Sequence, residues 1–116
     1  MMARPRRVVL VALTALFTAT LLSPAPAAAE GPAKIFATSC APCHGKEGEP
    51  NAVFTKQGVR SFKDPAWQKA ATDAQIEKSI REGKKGTMMA SFEKQLSAEE
   101  IKGLVAYVRK LGAAKK

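Results

Sequence analysis

The chain is poor in the residues that usually carry chemistry. Across 116 residues it has two cysteines, one histidine, one tryptophan and one tyrosine. A single histidine, His44, excludes any site that needs two imidazoles from one chain. Two cysteines exclude a disulfide-dense scaffold, and a bridge between Cys40 and Cys43 would close too short a loop to stabilise much. Strand patterning is missing too: nowhere do apolar and polar residues alternate over a run long enough for a half-buried strand. The one long apolar run, Val8 to Ser23, has 16 residues and is broken by threonines, short of the about 20 that a membrane-spanning helix needs. Acidic residues are outnumbered ten to nineteen, for a formal net charge of +9.

That apolar run has recognisable flanks. Arg4, Arg6 and Arg7 precede it, with no acid among them, and Pro24, Pro26 and Ala27-Ala28-Ala29 follow. A basic start, an apolar middle and an A-x-A site describe a secretory signal peptide over residues 1–29, cut after Ala29. The alternative is an uncleaved membrane anchor. The Arg6-Arg7 pair is ordinary content for such a basic start and needs no twin-arginine route. Cleavage leaves one domain, 30–116, of 87 residues with a net charge of +6, and no permanent membrane span. A domain this small buries little surface and often needs a disulfide, metal or cofactor as a staple. Nucleic acid does not suit an exported protein, and no motif for it is present.

Helical signals dominate what remains and predict an all-α domain of three main helices and a short one. The first covers about 32–39, opened by Pro32, with Ile35 and Phe36 as its apolar points. A long, irregular middle, 45–71, follows, in which 65–69 could form a short turn of helix; so long a connection in a small domain is usually functional or wrapped around something. Thr72 and Gln75 form a capping box for the second main helix, which carries Ile76 and Ile80 on one face and stops at Gly83. Ser97 and Glu100 cap the last, whose stripe is Ile101, Leu104, Val105, Val108 and Leu111, and Gly112 is expected to end it.

Both cysteines and the only histidine sit together in CAPCHG, residues 40–45. Three chemistries compete for this stretch. A redox dithiol requires a C-x-x-C beside a βαβ pattern, and no strand precedes Cys40. Structural zinc requires four ligands, and Cys40, Cys43 and His44 are three with no further Cys or His to complete them. C-x-x-C-H is also the attachment motif of c-type haem: the thiols add to the two vinyl groups, and the adjacent imidazole ligates iron. A covalent haem would also supply the missing core, and it fits export.

A sixth iron ligand is then tightly constrained. No second histidine exists, and Met1 and Met2 leave with the signal, so only Met88 and Met89 remain, adjacent in a loop between two capped helices. Paired methionines are often core filler. Adjacent side chains point apart, so one is expected on the iron and the other packed or exposed.

Here the residues resemble class I c-type cytochromes, in particular short bacterial monohaem ones, over essentially the whole segment 31–111. CAPCHG matches their attachment motif, and GTMMASFEKQLSAEEIKGLVAYVRKL resembles their methionine loop and C-terminal helix. The resemblance implies a small cytochrome c fold around one covalent haem c. Cys40 and Cys43 would form the thioethers, with His44 and Met89 as axial ligands. Phe92 and Leu96 set the register that selects Met89; Ala90 replaces the family's usual proline, which keeps Met88 as the runner-up. Pro32 stands where a glycine often allows the first and last helices to cross closely, a role Gly31 could take, with Phe36 against Leu104, Tyr107 and Val108. His44 should donate its second N–H to a backbone carbonyl, with Pro50 the candidate; Trp67 could serve a haem propionate or the core. The implied function is a monomeric periplasmic single-electron carrier and not an enzyme. Lys46, Lys56, Lys84 and Lys85 would steer it to redox partners with acidic docking surfaces. The alternatives are a haem enzyme or gas-reactive haem protein with a weak or absent sixth ligand, and a membrane-tethered electron-transfer subunit. Because the cofactor is expected to be so much of the core, haem-free chain should be largely unfolded by circular dichroism; a stably folded haem-free chain would contradict this.

Overall fold

The computed structural model describes residues 21–22 and 30–114; the expected signal peptide, apart from Leu21 and Leu22, lies outside them. Among the described residues there are helices and connections and no strand. The chain is helical without a break over 32–44, in three pieces: α1 (Pro32–Ile35), a π-helical turn (Phe36–Cys40) and α2 (Ala41–His44). The sequence predicts an end at Ser39, but the helix runs on through the cysteine motif. Pro42 has no N–H to offer the preceding turn, and the π turn widens the helix just before it, with the Ala41 N–H bonded to the Phe36 carbonyl.

The expected irregular middle contains two short helices. In α3 (Ala52–Lys56) the Asn51 side chain accepts from the Val53 and Phe54 N–H groups at 3.0 and 3.1 Å. An Asn cap without a following apolar period is a weak signal, so sequence reasoning missed this helix. α4 (Pro65–Ala70) is capped by Asp64, which takes the Ala66 N–H at 2.9 Å, and Pro65 occupies its first turn. The two long helices, α5 (Asp73–Glu82) and α6 (Ala98–Ala113), both open with the expected capping boxes. Gly83 stops α5 with φ of +73°.

Gly112 does not end α6; the helix continues to Ala113. The missing side chain there makes room for Gln68, since a Cβ at Gly112 would lie 2.3 Å from Gln68 Nε2. That amide is fully engaged: Nε2 donates to the Phe62 carbonyl at 2.7 Å and the Val108 carbonyl at 3.1 Å. Arg109, on α6, donates to Gln68 Oε1 (2.8 Å), the Gln68 carbonyl (2.7 Å), the Ala71 carbonyl (2.5 Å) and Asp73 Oδ1 (2.8 Å). One guanidinium thus ties α4, the start of α5 and α6 together.

The core is the α6 stripe Ile101, Leu104, Val105, Val108 and Leu111, packed with Ile35 and Phe36 at the N-terminal end, Phe62 in the middle, and Ile76 and Ile80 from α5. Each such side chain is worth roughly 1.5–3 kcal/mol when fully buried. Phe36 meets Tyr107 with ring centroids 5.1 Å apart, as expected for the crossing of α1 and α6. Gly31 does not mediate that crossing: a Cβ there would meet nothing within 4 Å. Gly103 faces Pro32 instead, and a Cβ at Gly103 would reach the Pro32 ring at 3.7 Å, an ordinary contact.

Opposite outcomes are therefore expected for the two α6 glycines. Gly103→Ala should raise stability by up to about 1 kcal/mol, the usual gain for alanine in a helix interior. Gly112→Ala should lower it by about 1–3 kcal/mol, because the new methyl must push Gln68 off its hydrogen bonds. Thermal unfolding of the haem-loaded variants measures both.

Candidate functional site

Cys40 closes the π turn, and Cys43 and His44 lie on the single turn α2. Residues three and four apart are neighbours on a helix, so both thiols and the imidazole project from one side. Both cysteines are free thiols and half-buried. Burial, and secondarily the neighbouring Cys43, push the Cys40 thiol up to about 11. A redox dithiol needs the reverse, a thiol lowered toward its thiolate, so the structure argues against that chemistry. Among the described residues no group of three or more His, Cys, Asp or Glu side chains could hold a metal ion, which removes the zinc reading.

His44 is the unusual group. Its Nδ1 is buried and has no hydrogen-bond partner. Burial lowers its pKa below the ordinary 6.5, so the imidazole is neutral at neutral pH with a lone pair to give. The expected bond to Pro50 is not formed; the Pro50 carbonyl receives the Thr55 hydroxyl at 3.4 Å. A ring contact fixes the imidazole instead. Phe62 lies against it with centroids 4.7 Å apart and planes 17° apart, a residue that sequence reasoning treated only as an apolar point. Trp67 packs against Phe62 in turn, at 5.0 Å, as a core aromatic.

Two glycines bring Phe62 to the imidazole. Gly45 turns the chain with φ of +78°, where a Cβ would lie 2.0 Å from the Glu49 carbonyl oxygen. Gly48 is buried at φ +80°, a Cβ there would press on Phe62 at 3.1 Å, and its carbonyl accepts the Phe62 N–H at 2.8 Å. The G-x-x-G spacing just after the motif was the available signal.

The methionine loop folds back on the end of α5. The Lys84 N–H donates to the Met89 carbonyl at 3.0 Å, and the Phe92 N–H to the Ile80 carbonyl at 3.0 Å. The Ser91 hydroxyl donates to the Arg81 carbonyl at 2.6 Å. Thr87 Oγ1 donates to the Lys84 carbonyl at 2.8 Å and accepts the Met89 N–H at 3.2 Å. These bonds hold the loop around Ala90. Met89 is half-buried and packs on the core that Cys40 also touches, while Met88 is 72% exposed.

A model of the family described as cytochrome c oxidase, cbb3-type, subunit III, matches residues 27–108. The chain belongs to this family, within the class I c-type cytochromes. Two similar curated proteins are the cbb3-type cytochrome c oxidase subunits FixP of Azorhizobium caulinodans, 39% identical over 75% of this chain, and of Bradyrhizobium diazoefficiens, 34% identical over 71%. The chain spans only 28% and 27% of the length of those relatives. Among solved structures, the KustC0563 c-type cytochrome is 35% identical with a TM-score of 0.65, over 71% of this chain and 98% of that one. A solved mutant of the same cytochrome gives 36% and 0.64, over 71% and 99%.

This c-type cytochrome therefore has the small cytochrome c fold, carries haem c and serves electron transfer. Its own residues fit that group: two thiols at the attachment spacing, a half-buried neutral imidazole, and a thioether on the same core.

The loop geometry yields a test. Gly83 has a positive φ, and a Cβ there would lie 2.6 Å from the Met89 carbonyl oxygen. Gly83→Ala should cost about 1–3 kcal/mol of stability and speed hydrogen exchange at the Lys84 amide, with both read on the haem-loaded protein.

Proposed function

We propose that this cytochrome is an exported, periplasmic single-electron carrier, released by cleavage after Ala29 and monomeric. It acts as a carrier and not as an enzyme. Cys40 and Cys43 hold haem c as thioethers, and His44 and Met89 are the axial ligands. The observation that carries this reading is the contrast between the methionines, Met89 packed on the core and Met88 facing solvent, together with a half-buried imidazole whose Nδ1 lacks a partner.

Haem c, when bound, supplies one iron centre that gains and loses a single electron. The chain supplies the rest. His44 is kept neutral by burial and so can donate its lone pair at physiological pH. Met89 supplies a soft thioether, which favours the ferrous state and raises the potential over a bis-histidine site. The apolar wall of Ile76, Ile80, Leu104 and Val108 excludes water from the core behind the site. Lys46, Lys56, Lys84 and Lys85 are all exposed, and their collective field favours acidic partner surfaces.

A second reading follows from the FixP relatives, which are oxidase subunits: the domain would hand electrons to an oxidase while tethered through residues 8–23. No helix among the described residues is long and apolar enough to cross a membrane.

Mass spectrometry of the exported protein separates the two. A carrier should begin at Glu30 and keep its haem mass after denaturation, and an intact N-terminus would favour the tethered subunit. In the ferric protein, Met89→Ala should abolish the weak far-red band of methionine–iron ligation and Met88→Ala should keep it. The reverse pattern would move the ligand to Met88, and a high-spin wild type that binds carbon monoxide readily would favour a gas-reactive protein.

A further inference from the structure

The contacts that fix the imidazole continue outward in a single connected set. Phe62 is 9% exposed and lies nearly parallel to His44. Its backbone is held at both ends: the N–H by the Gly48 carbonyl at 2.8 Å, and the carbonyl by Gln68 Nε2 at 2.7 Å. Gln68 has only one way to sit there. Arg109 carries donors alone, so it can take only the amide oxygen, and it does so at 2.8 Å. Nε2 is thereby turned toward the Phe62 and Val108 carbonyls. The absent side chain at Gly112 leaves space for this arrangement, and Asp73 steadies the guanidinium from the start of α5 at 2.8 Å.

The effect on His44 follows from what the imidazole lacks. An axial histidine is commonly oriented through a hydrogen bond to its second nitrogen. Here the buried Nδ1 has no such partner. The flat face of Phe62 lies against the ring and nearly parallel to it. We propose that Phe62 is a positioning residue for the axial imidazole, and that Gln68, oriented by Arg109, holds Phe62 in place to set the plane of the ring. The inference rests on His44 being the axial ligand. It places control of that ligand in a side-chain network on α4 and α6, remote in sequence from the CAPCHG motif.

Proton NMR of the ferric, haem-loaded protein tests this, because the pattern of haem methyl shifts reports the orientation of the axial imidazole plane. The variants are Phe62→Leu, which keeps apolar bulk but loses the flat face, and Gln68→Leu, which keeps size but loses the donors. Val105→Ala is the control for core destabilisation alone. Both test variants should retain haem mass after denaturation and show a reordered or compressed methyl shift pattern. Val105→Ala should lower the melting temperature and leave the pattern as in wild type. If Phe62→Leu and Gln68→Leu only lower the melting temperature, as the control does, the positioning role is wrong. Should Phe62→Leu fail to fold, Gln68→Leu decides by the same criterion. A wild-type spectrum without iron-shifted imidazole protons would instead remove His44 as the ligand, a different failure from an unchanged pattern in the variants.

Discussion

A lone half-buried imidazole, its Nδ1 buried and without a hydrogen-bond partner, is the constraint on which the rest of this structure depends. Burying an unmatched polar nitrogen costs about 1–3 kcal/mol, and a protein keeps such a group only when something else offsets the loss. On the proposed reading, iron ligation through the other ring nitrogen offsets it. The surrounding elements make sense as ways to bury His44 while keeping it neutral: a helix that carries the motif inward, a glycine-rich turn that closes under it, and an aromatic ring laid across it.

The same division between apolar interior and polar margin runs through the packing. The core holds ten buried apolar residues and no buried polar or charged one among the described residues, and half of it is the α6 stripe. Such a core is slight for a free-standing domain, and a covalent cofactor is a physical remedy as well as a functional one. Polar fastening is concentrated at the margins. Arg109 and Gln68 join α4 and α5 to α6, and Thr87 and Ser91 join the methionine loop to α5. Both sides of the site are thus pinned through backbone carbonyls at helix ends, where unpaired acceptors are available.

Much of this was legible in the sequence because the signals are local. Capping boxes at Thr72 and Ser97 and the 101–111 stripe specify two helices with little help from tertiary context. The CAPCH spacing and the absence of any second histidine led to haem and then to the methionine pair. What stayed hidden depends on contacts between distant residues. Gly112 reads as a helix stop, and only the presence of Gln68 from α4 explains why it lies inside the helix. Gly103 and not Gly31 faces Pro32, which depends on how α1 and α6 rotate against each other. The Phe62–His44 contact spans eighteen positions and three positive-φ glycines, and no periodicity encodes it. The π turn that ends at Cys40 likewise arises from a conflict between a continuing helix and Pro42, which local propensity reads as an ending.

The central claim is that one imidazole nitrogen and one thioether sulfur, from His44 and Met89, complete the iron. X-ray absorption fine structure at the iron edge of the isolated ferric protein tests it most directly. A six-coordinate shell of five nitrogens and one sulfur is the result this account predicts. A shell of light atoms alone, or a five-coordinate iron, would contradict it.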